Sequence, residues 1–133
     1  MGRAGLALDF VAVLVFVTIG RAVHAHGLTF EGIASTAWPF VVGLAIGSFG
    51  LTVLGLSEAS RAGGLVVVTS TVAVGMVLRI VSHQGTAVAF VFVALGFLGA
   101  AMLGWRLLLA LGRPFAAHHR LRRSSQGHTD PGR

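Results

Sequence analysis

Apolar residues fill four long stretches of the sequence, 4–19, 33–56, 62–78 and 85–105, and polar side chains gather between them. The first stretch is broken only by Asp9, and the second and fourth contain no charged residue. A helix rises about 1.5 Å per residue and a bilayer's hydrocarbon core is about 30 Å thick, so roughly 17 to 25 apolar residues make one crossing. The pattern predicts an all-α integral membrane bundle of four transmembrane helices, at about residues 5–22, 34–56, 62–82 and 86–112. From Arg113-Pro114 onward the apolar pattern stops and His, Arg, Ser, Gly and Asp follow. That break predicts a membrane domain over residues 1–113 and a basic, disordered cytoplasmic tail over 114–133.

Small residues within the stretches indicate where helices touch. Lipid tails give helices little hydrophobic reason to associate, so close backbone approach through Gly, Ala, Ser and Thr supplies much of the contact. The second stretch carries Pro39, Gly43 and Gly47, the third Thr71 and Gly75, and the fourth Gly96, Ala100 and Gly104 at spacing four. Each set is expected to face a neighbouring helix of the same chain or, for Gly43 and Gly47, a second copy of it in a homodimer.

Composition narrows the reading. Charged residues make up 11% of the chain and hydrophobic ones 55%; a soluble domain carries roughly 25% charged residues, so a water-soluble fold is excluded. Absence of cysteine removes disulfides, thiol catalysis and thiolate metal sites together. Ten basic residues, all arginine, against four acids give a formal charge of +6. Four crossings put both ends of the domain on one side, which then holds Arg3, Arg61, Arg113, Arg120, Arg122, Arg123 and Arg133, with Arg106 near it; the other side holds Arg21 and Arg79. The bias predicts cytoplasmic N- and C-termini in the cell membrane. Because the arginines sit at segment ends and in the tail, the expected partner is the lipid bilayer and not nucleic acid. Asp9 at the start of the first apolar run and Arg21 just after it argue against a cleaved secretory signal.

The remaining polar residues carry the candidate chemistry. Asp9 lies some five residues inside the first helix, about 7 Å deep, and Arg106 sits at a similar level because apolar residues continue beyond it through Leu107 to Leu111. An isolated charge costs roughly 2.5 to 3.5 kcal/mol at the bilayer centre and less near the interface. Opposite charges about 4 Å apart regain about 4 kcal/mol at an effective dielectric of 20, before desolvation. Pairing is the economical reading, an Asp9–Arg106 ion pair bracing the first and fourth helices; the alternatives are that Asp9 is a proton or cation site, or that both side chains snorkel to water. At the opposite end, Arg21, His24, Trp38, Arg79 and His83 form a candidate site for an anion or lipid headgroup. Thr71, Gly75, Arg79 and His83 recur at spacing four along one helix edge, and Trp38-Pro39-Phe40 opens the second helix at comparable depth. His24, His26 and His83 lack the Cys, the HExxH pairing and the supporting carboxylates of a metal centre, so no metal and no cofactor are expected. With no nucleophile–base pair, phosphate loop or metal motif, the chain is expected not to be an enzyme.

Several short runs carry a resemblance. Asp9, Ile19-Gly20-Arg21 with His24, Thr36-Ala37-Trp38-Pro39-Phe40 with Gly43 and Gly47, Gly75-Met76 with Leu78-Arg79, Gly85-Thr86-Ala87 with Phe90, and Gly104-Trp105-Arg106 resemble the small prokaryotic membrane proteins grouped as a domain of unknown function, number 3054 in that series. The likeness spans about residues 5 to 110, and its TAWPF and GWR runs are the most specific part. It implies a bacterial or archaeal multi-pass membrane protein and transfers no catalytic residue. Two functional classes follow: a small transport or binding bundle for an anionic solute or lipid headgroup, and a non-catalytic accessory subunit that assembles with other membrane proteins.

Overall fold

In a computed structural model of the chain, the backbone is described for residues 3–24 and 26–126 and side chains for 4–24 and 26–112. Four helices follow one another: α1 (Arg3–Val23), α2 (Phe30–Leu54), α3 (Arg61–Val81) and α4 (Val88–Gln126). Each contains a predominantly apolar span of 20 to 25 residues, the last being Val88–Gly112, and a span of that length crosses the roughly 30 Å of hydrocarbon. The protein is a four-helix membrane bundle. Large apolar residues such as Phe49, Val53, Phe92 and Leu108 lie on its outside, where lipid rather than water is their solvent.

Local chemistry sets the helix ends. Thr29 caps α2 by accepting a hydrogen bond from the Gly32 N–H at 3.1 Å, and Glu31 in the first turn favours the helix N-terminus. The helix thus starts at Phe30, earlier than the apolar pattern indicates. Gly55 ends it in the left-handed region at φ 64°, and its N–H returns to the Leu51 and Thr52 carbonyls. Ser60 caps α3 on the Gly63 N–H at 2.9 Å. The backbone of α4 stays helical to Gln126, across the first part of the segment read as a disordered tail. The Ala, Leu and Arg residues of that stretch are good helix formers, and residues 127–133 lie outside the described residues.

The tightest packing joins α2 to α3. A Cβ on Gly43 would lie 2.7 Å from the Thr71 carbonyl oxygen and 2.8 Å from that of Ser70, and one on Gly47 would lie 2.9 Å from Ser70 Cβ. Only glycine lets these backbones approach so closely, and the Ser70 hydroxyl donates to the Gly43 carbonyl at 2.9 Å across the contact. Pro39 is buried on the same face. Gly75 receives the Phe40 ring, whose Cδ1 would lie 2.6 Å from an added Cβ. The Gly43–Gly47 face is therefore occupied by α3 of the same chain, the intramolecular one of the two contacts expected for it.

Helix α4 corrects a second expectation. Nothing lies within 4 Å of a Cβ added at Gly96 or Gly104, so these are not packing positions. The inward stripe is Ala94, Leu98, Met102 and Arg106, all buried. It too has spacing four but is offset from the glycines by two residues, which turns them about 200° away at 3.6 residues per turn.

Candidate functional site

Consecutive helices alternate in direction, so the bundle has two ends. The near end holds the start of α1, the α2–α3 loop and the Arg106 level of α4. The far end holds the α1–α2 and α3–α4 loops.

At the near end, Asp9 and Val13 share the inward stripe of α1 with Phe16 and Val17, all 4% exposed or less. Arg106 faces Asp9 from α4 in a two-pronged pair: Nη2 to Oδ2 at 2.7 Å and Nη1 to Oδ1 at 2.9 Å. The two side chains are 1% and 2% exposed. Arg106 Nη1 also donates to the Met102 carbonyl at 2.5 Å and Nε to the Glu58 carbonyl at 2.6 Å, which draws the α2–α3 loop onto α4. Trp105 Nε1 donates to Asp9 Oδ1 at 2.9 Å, and its ring lies 4.3 Å below the guanidinium carbon. Gly64 makes room for the arginine, since a Cβ there would meet Arg106 Cδ at 2.8 Å. Positive and negative charge cancel here, and the hydrogen bonds of the pair are used internally. One carboxylate oxygen, Glu58 Oε2, is buried without a partner beside this network.

The far end is built differently. The α1–α2 and α3–α4 loops surround a cavity of about 760 Å³ whose lining includes Arg21, His24, His26, Thr36, Arg79, Gln84, Thr86, Phe16 and Phe90. Arg21 shapes the wall: Nε donates to the Gly27 carbonyl at 3.0 Å, Nη2 to the His26 carbonyl at 2.7 Å and Nη1 to Thr36 Oγ1 at 3.0 Å. Arg79 projects from the last turn of α3. Its Nη1 donates to Gln84 Oε1 at 3.0 Å and its Nη2 to the Gly85 carbonyl at 3.3 Å, and its guanidinium carbon stands 4.8 Å from the Phe90 ring centroid. Gln84 in turn donates to the Ser35 carbonyl at 3.0 Å, which ties the α3–α4 loop to α2. Arg79 Nε and Thr86 Oγ1 are buried with no hydrogen-bond partner. No Asp or Glu is among the lining residues, so neither guanidinium has a counter-charge in the cavity.

An aromatic floor separates the two ends. The Phe16 ring lies 5.6 Å from Phe40, edge to face, 5.7 Å from Phe90 and 5.6 Å from Phe97.

The structure brings Asp9 to Arg106, and it brings Arg21, His24 and Arg79 to one cavity. It does not bring Trp38 or His83 there. Trp38 is exposed on the outer face of α2, between buried Ala37 and Pro39. His83 is exposed in the turn after α3 and takes the left-handed region at φ 57°. The helix ends at Val81, so the spacing-four stripe from Arg79 has no turn left to carry it. The sequence reading did not assign Thr36, Gln84, Thr86 and Phe90 to the site, nor Trp105 to the pair. Trp105 had a signal in its place next to Arg106. Gln84 and Thr86 depend on the backbone reversal at Gly85, φ 74°, which turns polar loop residues back toward the bundle. Among the described residues no three His, Asp or Glu side chains gather in a set fit to hold a metal ion; His24 and His26 stand with ring centroids 6.2 Å apart.

No curated protein and no solved structure matches the chain. One family model does, that of a protein of unknown function, DUF3054, over residues 6–109. With Asp9, the far-end cavity and Arg106 all inside the matched span, the chain belongs to that family.

Proposed function

We propose that this protein is a non-catalytic binding or transport bundle of the cell membrane, whose far-end cavity takes the anionic group of a solute or a lipid headgroup. The observation that carries this reading is the charge of the cavity: two guanidiniums and no carboxylate among the lining residues, with one guanidinium nitrogen and one hydroxyl left unpartnered. Half-buried cations without counter-charge carry a desolvation cost, and an entering anion offsets part of it. The arginine distribution supports cytoplasmic termini, an orientation in which the cavity faces outward. Native mass spectrometry from nanodiscs containing anionic and zwitterionic lipid tests the reading. The wild-type protein should retain an anionic molecule that Arg79→Gln loses, and equal retention by both would overturn it.

The accessory-subunit reading draws on a different observation. Gly96, Gly99 and Gly104 leave open space along one side of α4, a smooth surface of the kind against which another membrane helix packs. Gly96→Leu should then abolish co-purification of a membrane partner without changing the thermal stability of the isolated chain.

A further inference from the structure

The far-end cavity has an apolar half that an inorganic anion leaves unused. Beside Arg21 and Arg79 its wall includes Val17 and Gly20 of α1 and Ala89, Phe90 and Val93 of α4. From Arg21 down to Phe16 the helical rise covers about 7 Å, and from Ala89 to Val93 about 6 Å. Ala89 and Val93 line the cavity and are strongly exposed, Val93 by 59%, as an opening of the α1–α4 seam toward lipid at this level requires. Deeper in the bundle the seam is closed, by the Phe16–Phe97 contact and then by the Asp9–Arg106 pair. The volume of about 760 Å³ falls in the range of roughly 300 to 1,000 Å³ that accommodates organic ligands rather than single ions.

Resting on the anion-site reading above, we infer that the ligand is an amphiphile. A single anionic head, phosphate or carboxylate, is held between the Arg79 guanidinium and Thr86, both of which line the cavity. Its hydrocarbon tail lies along Val17, Gly20, Ala89 and Val93 and leaves through the seam into the bilayer. Arg21, whose Nε, Nη2 and Nη1 donate to Gly27, His26 and Thr36, holds the rim and adds charge, with its Nε donor already used. The head chemistry is shared by a bilayer lipid and by a soluble single-chain amphiphile, and both reach the cavity by the same side opening.

The test uses the full-length protein in phosphatidylcholine nanodiscs, titrated with methyl phosphate and with dodecyl phosphate, with thermal stability as the readout. The wild-type protein should bind dodecyl phosphate at least about tenfold more tightly than methyl phosphate. In Ala89→Trp, which fills the seam on an exposed position, that advantage should collapse. Partition of the probe into the disc is the same for both proteins, so only a tail site in the chain accounts for the difference. Thr86→Val and Arg79→Gln should weaken both probes. An advantage that persists in Ala89→Trp, or equal binding of the two phosphates, overturns the tail site while the anion site stands. Binding of both probes unchanged in Thr86→Val and in Arg79→Gln overturns the anion site as well. Displacement of dodecyl phosphate by phosphatidic acid in the disc identifies a bilayer lipid as the source; no displacement identifies a soluble amphiphile.

Discussion

The two ends of this bundle bury arginine in opposite ways. At the near end Arg106 meets a carboxylate, an indole and two backbone carbonyls, and its charge is cancelled within the protein. At the far end Arg79 meets a neutral amide, loop carbonyls and a ring face, and its charge is not cancelled. An arginine in a low dielectric is stable only when its donors are satisfied and its charge is compensated. Arg106 meets both conditions within the protein and therefore serves as a brace, with Glu58 Oε2 left unpartnered beside it. The far end satisfies most of its donors, lacks the compensating charge, and leaves Arg79 Nε and Thr86 Oγ1 unpartnered beside an open volume. The difference separates a structural ion pair from a binding site without any appeal to which residues are polar.

The largest expected effect breaks the near end. Removing one member of a buried pair leaves the other uncompensated, so Asp9→Asn and Arg106→Gln should each destabilise the bundle by about 3 to 5 kcal/mol. The double change Asp9→Asn with Arg106→Gln should cost clearly less than the two single losses together, since it removes both charges. Unfolding in mixed micelles measures all three. Simple addition of the single losses would mean that the two residues are not coupled and that the near end is no more closed than the far end.

The next effect uses one substitution at both ends. Gly64→Ala should cost about 1 to 3 kcal/mol, because its Cβ would lie 2.6 Å from Leu103 Cδ2 and 2.8 Å from Arg106 Cδ. Gly20→Ala lines the cavity, meets nothing within 4 Å, and should be neutral or stabilise by about 0.5 to 1 kcal/mol through the helix preference of alanine. Equal losses at the two positions, measured by thermal unfolding, would show that the cavity is filled in the native protein.

How much of this was legible follows from which residues decide it. The four spans were readable because oil is the solvent and hydropathy alone sets them. Asp9 and Arg106 were readable as a pair by depth, being lone charges at matched levels. The inward face of α4 was half readable. Gly96, Ala100 and Gly104 and the set Ala94, Leu98 and Met102 both recur at spacing four, and the tie is broken by Arg106, which extends the second set. Trp38 was misplaced because one residue on a helix is a turn of about 100°, enough to carry it from the buried flank of Pro39 to lipid. His83 was misplaced because periodicity ends where the helix does. Gln84 and Thr86 had no periodic signal, since their direction is set by the left-handed backbone at Gly85.

A smaller effect concerns the tie across the far end. Gln84→Ala removes the acceptor of Arg79 Nη1 and the donor to Ser35, each bond contributing about 0.5 to 1.5 kcal/mol. The expected loss is about 1 to 2 kcal/mol, accompanied by faster amide exchange of the α3–α4 loop and unchanged exchange near Asp9. Loss of protection at both ends would mean that the aromatic floor around Phe16 does not insulate them.

A small effect on stability is the most telling for the comparison, because it is a gain expected from removing a polar group at the cavity. Thr86 Oγ1 is buried without a partner, and valine has nearly the same shape without the hydroxyl. An orphaned buried polar group costs about 1 to 3 kcal/mol, so Thr86→Val should raise the unfolding free energy by up to about 1 kcal/mol once partial contact with lipid or water is allowed for. The same change should weaken anion binding at the cavity. A protein that gains stability as it loses a ligand has kept that hydroxyl unsatisfied for use, the usual exchange at a functional site. If Thr86→Val instead loses stability, the hydroxyl has an internal partner, and the far end is as self-contained as the Asp9–Arg106 brace.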